Sequence, residues 1–316
     1  MSCRDDDLGE RSPILVTGAY RSGTTWVGRM LALSSAVGYI NEPFNPFHQP
    51  GTCVAQFPKW FQYVHARNEH LFLAPLADTL RFRYHFAAQL KRTKSKEDLE
   101  QLLRDARSFT RSRLLRARPL VKDPIAAFSA SWLATTFGMA TIVVVRHPAA
   151  FVASLKRLDW WPPFNDLRAQ TALVQDLLGP FERDIHWMAA GGGDLVDHGA
   201  LMWLMMYSTF VSFHSRHPSW ILVRHEDLAR DPVRGFAGLF RQMGLRYTRR
   251  IAEAVEWHST GPTHGAAEPA PYEVRLDSRQ TVNRWRSELT PNETQRVRDR
   301  VQELAQQFYS DSDWER

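Results

Sequence analysis

The chain has 316 residues and a mass of 36.4 kDa, is 44% hydrophobic and 23% charged, and carries a formal charge of +6 with a pI near 9.5; this describes a soluble globular protein and excludes a disordered tail or a fibre. Its two cysteines, Cys3 and Cys53, exclude a disulfide framework or a cysteine-rich metal site and fit a reducing, cytoplasmic setting. Only six of the 40 basic residues are lysine; the arginine excess supplies planar forks suited to phosphate and sulfate, with genomic base composition as the other source of the bias.

The opening MSCRDDDLGERS is acidic and polar, with no apolar core before Ile14, so no secretory signal is expected. Four short apolar runs then predict buried parallel strands: Ile14 to Thr17, Leu120 to Val121, Thr141 to Val145 and Trp220 to Val223. Each leads through a polar turn into a helical pattern, the rhythm of an α/β fold with a central parallel sheet flanked by helices. With no repeat or long linker in sight, residues 1–316 read as one domain. Two helical insertions, about 47–116 and about 155–217, are the candidate walls for a second substrate. The first has helical spacing at Leu99, Leu102, Leu103 and Ala106; the second holds Trp160 and Trp161, expected as packing residues, and a break at Gly191-Gly192-Gly193. Gly199 to Phe213 is too short for a membrane span and predicts a buried helix. Thr290-Pro291-Asn292-Glu293 is a capping box that opens a last, structural helix burying Val297, Val301, Leu304 and Phe308.

Ligands of such sheets sit at the carboxyl ends of the strands, and the motifs lie there. ILVTGAYRSGTTWVGRM runs strand, tight loop, helix. Gly18 and Gly23 permit a compact turn, Ser22, Thr24 and Thr25 bring hydroxyls and N–H groups, and the helix N-terminus adds its dipole to an anion site. A Walker loop would have Lys where Thr24 stands, and TIVVV ends in Arg146 instead of a magnesium-binding Asp, both against nucleoside triphosphate hydrolysis. Arg21 is placed to reach a terminal anionic group. Trp26 falls in register with Met30 and Leu33, the spacing of a core face.

RSGTTW after a strand resembles the 5′-phosphosulfate loop of sulfotransferases that use 3′-phosphoadenosine 5′-phosphosulfate (PAPS). Cytosolic members usually have Lys at the position of Arg21, whereas tyrosylprotein and several bacterial or carbohydrate sulfotransferases have Arg, as here. The resemblance places Arg21, Ser22, Gly23, Thr24 and Thr25 on the donor and Trp26 against its adenine. TIVVVRHPAAFVASLKR resembles the family's 3′-phosphate motif, with Arg146 and Ser154 converging on one phosphate from a strand end and the following helix. WILVRHEDLARDP resembles the family's turn in which an aromatic stacks on adenine; His225 takes that place, while Glu226 and Asp227 read as caps of the next helix.

Sulfuryl transfer to an alcohol needs in-line attack, a base, and cations for charge developing on the donor's bridging oxygen. Cytosolic members use a His after the second strand, but here that segment is Lys122-Asp123-Pro124. Glu42 in NEPFNP has a placement similar to the catalytic Glu of tyrosylprotein sulfotransferases, which makes it the implied base, its pKa raised by burial beside Pro43 and Phe44 and lowered by Arg21. Lys122 resembles the family lysine that contacts the sulfuryl group; with Arg21 it would form a cationic clamp. Asp123 would orient Lys122 or a nearby turn.

The Gly/Pro-rich stretch Trp257 to Gln280 resembles a C-terminal lid over the nucleotide, although the family's RKG signature is absent; Arg275, Ser278 and Arg279 are its candidate donor contacts. His65, His70, His85, His214 and His217 have no matched carboxylates and read as surface or packing residues. The resulting expectation is a metal-independent, PAPS-dependent sulfotransferase acting on a small-molecule or carbohydrate hydroxyl, with no nucleic-acid partner. The rivals are a P-loop kinase and a non-catalytic module for a nucleotide or an anionic glycan.

Overall fold

The computed structural model describes residues 12–260 and 282–315. Five strands, β1 (Ile14–Gly18), β2 (Val37–Asn41), β3 (Arg118–Lys122), β4 (Ala140–Val145) and β5 (Ile221–Arg224), form one parallel sheet in the order β2-β3-β1-β4-β5. Helices cover both faces, which is the α/β architecture the sequence predicts. Alternation along the strands sorts the side chains into two cores. Ile14, Val16, Ile142 and Val144 join one with Val27 and Met30 of α1 (Thr24–Leu31), while Leu15, Val143 and Val145 join the other.

The four predicted strands are present, with ends shifted by at most two residues. β2 is not among them. VGYIN is short and lies at the sheet edge, where Tyr39 and Asn41 are less buried than their neighbours, so it lacks the continuous apolar run of a central strand. Its pairing with β3 matches Asn41 with Lys122, and β1 matches Val16 with Lys122. Gly18 pairs with Val144, and Val145 with Arg224. The carboxyl ends of all five strands therefore share one edge.

In the first insertion, α2 (Lys96–Leu114) starts with a reciprocal capping box between Ser95 and Asp98. It buries Leu102 and Phe109, but Leu99 and Leu103, read above as part of one helical pattern, are exposed. α3 (Pro148–Leu158) begins with Pro at its first turn, where the missing N–H costs nothing. The predicted buried helix lies within α4 (Leu195–Arg216), which a capping box on Asp194 opens just after the glycine break, and Gly191 and Gly193 have positive φ. After β5 come α5 (His225–Arg230) and α6 (Pro232–Gln242). The last long helix, α7 (Pro291–Ala305), has the expected capping box and buries Val297, Val301 and Leu304, with Phe308 partly buried beyond its end.

Candidate active site

The loop between β1 and α1 is held by backbone geometry that few residues tolerate. Gly18 and Gly23 have φ of 143° and 95°, and Arg21 itself sits at 64°. A Cβ on Gly18 would lie 2.4 Å from the Val144 carbonyl oxygen, and one on Gly23 would lie 2.5 Å from His225 Nδ1. The N-cap of α1 is Gly23, with no side-chain cap, so the first amides of α1 face the loop without a capping side chain. Thr24 is buried and Thr25 opens on the cleft.

Arg21 is a hub. Its Nε donates to Ser154 Oγ (3.2 Å), its guanidinium lies 5.4 Å from the Trp160 ring centroid, and its carbonyl accepts from Arg146 Nη1. The expected Arg146 and Ser154 pair is thus bridged through Arg21. Burial pushes the Arg146 pKa down, and its Nε is buried with no hydrogen-bond partner. Arg157, which sequence reasoning missed, reaches Ser154 Oγ at 3.5 Å while holding Glu288. Its signal was the one-turn spacing from Ser154 on α3.

The Tyr207 hydroxyl, from the middle of α4, accepts the N–H groups of Ala19 (3.4 Å) and Arg146 (3.3 Å) and donates to the Val144 carbonyl (2.9 Å). It ties the anion loop to the end of β4 from below. Full burial holds this phenol far above its ordinary pKa, so it stays a neutral hydroxyl.

Glu42 follows β2 at once, with φ of 43°. Its N–H donates to the Lys122 carbonyl (2.8 Å), and its carboxylate is bound by Lys122 Nζ and by Asn45 Nδ2 (3.0 Å). Lys122 is fully buried and is the cation that meets Glu42; Arg21, expected in that role, is instead turned toward Ser154 and Trp160. Asp123 organises the turns on both sides. Its Oδ2 accepts from Phe44 N (2.7 Å), and its Oδ1 accepts from Ile125 N (2.9 Å) and Ala126 N (3.1 Å). Burial, with Glu42 nearby, raises the Asp123 pKa to about 7.

On the β5 side, Trp26 packs edge-on to His225 (5.4 Å) and Phe236 (5.0 Å), within the core register expected of it. His225 is buried with both ring nitrogens unpartnered, and burial drops its pKa to about 3. Glu226 is not a helix cap. It is buried, accepts from His147 N (2.9 Å) and Tyr309 Oη (3.0 Å), and so ties the ends of β4 and β5 to the C-terminal segment. Asp227 pairs with Arg230 (3.1 Å) and Arg224 (3.6 Å) and is not a cap either. Arg275, Ser278 and Arg279 lie outside the described residues.

A cavity of about 1090 Å³ opens over this edge. Arg21, Thr25 and Glu42 form its floor, Trp60 and Asp105 come from the first insertion, and Trp160 and Trp161 from the second. The two tryptophans, expected to pack, are 39% and 53% exposed. Among the described residues, no group of three or more His, Cys, Asp or Glu side chains is placed to hold a metal ion.

Residues 13–249 match the model of the Sulfotransferase family. This chain belongs to the sulfotransferase family. Among curated proteins it is similar to carbohydrate sulfotransferase 1 of rat, 23% identical over 90% of this chain and 75% of the relative, and to the human protein of the same name, 24% identical with the same coverage. Solved structures of related shape include the sulfotransferase domain of the curacin biosynthetic pathway (17% identity, 93% of this chain and 99% of that one, TM-score 0.47). A mouse sulfotransferase complexed with PAP is also similar (15% identity, 96% and 87% coverage, TM-score 0.42). By the family match over residues 13–249 the enzyme is a sulfotransferase, of a family that uses PAPS. The cytoplasmic placement is corrected by these relatives, since carbohydrate sulfotransferases are Golgi membrane proteins. A cysteine count and a polar start do not specify a compartment. Among the described residues, no helix is long and apolar enough to cross a membrane.

Proposed function

We propose that this sulfotransferase moves the sulfuryl group of PAPS to a hydroxyl of a carbohydrate or carbohydrate-like small molecule by in-line displacement, with Glu42 as the base. The observation that carries this reading is the convergence of Glu42, Lys122 and Arg21 at one strand edge, with Glu42 and Arg21 opening into one cavity. The donor fits the residues present: Arg146 Nε is buried and unpartnered beside Ser154 and Arg21, and a Cβ at Gly18 or Gly23 would collide with backbone or with His225.

Glu42 takes the acceptor's proton as its oxygen attacks sulfur, and the bond from sulfur to the bridging phosphate oxygen breaks, leaving 3′-phosphoadenosine 5′-phosphate (PAP). Lys122 and Arg21 offset the charge on that bridging oxygen, a contribution on the order of a few kcal/mol in the transition state. For Lys122 to do so, its ammonium must turn from Glu42 toward the donor, which leaves the carboxylate able to accept a proton. Asn45 holds the other carboxylate oxygen during this exchange.

Trp60, Trp160 and Trp161 offer flat faces to a sugar ring, and Asn41, Gln49 and Gln101 offer amides to its hydroxyls. Because both insertions and the sheet edge line one cavity, we treat the chain as one functional domain. The test is transfer from labelled PAPS to a panel of neutral glycans, phenols and alcohols, alongside calorimetry with PAP. PAP binding with transfer to glycans supports the reading; PAP binding with no turnover on any acceptor marks a non-catalytic module, and magnesium-dependent ATP hydrolysis marks a kinase.

A further inference from the structure

The chain's net charge is unevenly placed. Between Lys91 and Arg116 there are nine basic and four acidic residues, a net +5 against +6 for the whole protein. The same part of the fold is unusually apolar at its surface. Six of the twelve large hydrophobic side chains exposed among the described residues fall between Phe86 and Leu115, with Leu90 at 51%, Leu114 at 78% and Leu115 at 58% exposure.

These two properties share one helix face. On α2, Lys96, Leu99, Leu103, Arg107, Thr110 and Leu114 follow the three- and four-residue spacing of a single stripe, and every one of them is exposed. Arg104, paired with Glu100 (3.7 Å), and Arg111 flank it. The inward face carries Leu102 and Phe109, so the stripe is not needed for packing α2 onto the fold. Leucines interleaved with arginines suit a surface that is anionic outside and apolar just beneath. A soluble polyanion would use the cations and leave the leucines in water. A second copy docked through the same face would set one net-positive segment against another.

We propose that the outer face of α2, with the short helix Phe86–Leu90 before it, docks the protein onto an anionic lipid surface. The opposite side of α2 contributes Gln101, Asp105 and Ser108 to the cavity, so the docking face lies on the side of the helix away from it. The inference stands on surface composition and does not depend on which acceptor is used.

The experiment is co-sedimentation of the full chain with phosphatidylcholine vesicles, with and without phosphatidylserine, over a range of salt. Binding to the phosphatidylserine vesicles is expected, weakening as salt rises, and at least about tenfold stronger than to phosphatidylcholine alone. Leu103→Glu with Leu114→Glu, and separately Arg107→Glu with Arg111→Glu, should each lower it by about tenfold, while PAP affinity stays within about twofold. Equal binding to both vesicle types, no binding, or binding unchanged in both double variants overturns the proposal. So does a dimer in sedimentation velocity that the leucine variant dissolves. Should that variant lose PAP binding through misfolding, the arginine variant decides.

Discussion

The two sides of the cleft are made of different material. On the sheet edge, Arg21, Lys122 and Arg146 sit on strand ends and the turns after them, with Ser154 on α3 beside them, backed by both cores and bonded to the backbone or side chains of other elements. On the opposite wall, Trp160, Trp161 and Phe47 stand on insertions, each exposed to solvent, with few such ties. The proposed charged machinery is built where packing fixes it, and the proposed acceptor wall where the chain can vary without disturbing the sheet. The division implies that variants of the two sides should fail in different ways.

The largest effect should come from Glu42→Gln, which removes the proposed base but keeps its size and the Asn45 contact. Turnover should drop by about a thousandfold with PAP affinity unchanged, and a loss under tenfold would remove Glu42 from that role. Lys122→Met is expected to lower turnover by about a hundredfold. Because it also strands the Glu42 carboxylate in a nearly buried site, it should lower the thermal midpoint, which Glu42→Gln combined with Lys122→Met should partly restore. If the double variant is no more stable than the single one, the pair is not coupled as drawn.

On the other wall, Trp160→Ala should raise the acceptor's KM by about tenfold and leave PAP binding within about twofold, although Arg21 loses its ring. A change confined to donor affinity would move Trp160 across the divide. The smallest effect concerns pH. Burial holds His147 neutral, with its pKa lowered to about 3, and both of its ring nitrogens lack partners against Trp285 and Trp314. Since the unfolded chain binds this proton near pH 6.5 and the folded one does not, stability should fall as pH drops from 6.5 toward 3. His147→Phe should flatten part of that slope in thermal melts and leave transfer unchanged; an identical slope would show that other groups set it.

Sequence made the sheet edge more legible than the walls. Continuous apolar runs exposed four strands, and the glycines and hydroxyls of the anion loop declared themselves through the backbone they demand. β2 stayed hidden because an edge strand of five residues carries little apolar signal. With it went the physical reason for Glu42's position, which rested on resemblance until the pairing of Asn41 with Lys122 placed it. The tryptophans of the second insertion were misread for the opposite reason. Trp is usually buried, and nothing in DWWPPFNDL says that a cavity lies beside it. Glu226 and Asp227 looked like caps because acidic residues favour helix starts, a local rule overridden by the C-terminal segment, whose Tyr309 comes from far along the chain.

The Tyr207 hydroxyl touches the amides of Ala19 and Arg146 at once. It therefore works as a gauge block between the two proposed anion grips, machined from the core helix and not from either loop. A nucleotide whose phosphates sat closer together or farther apart could not be met by re-posing a surface side chain. It would have to shift α4 against the sheet, so in the proposed site the measure of the donor would be kept in the hydrophobic packing beneath.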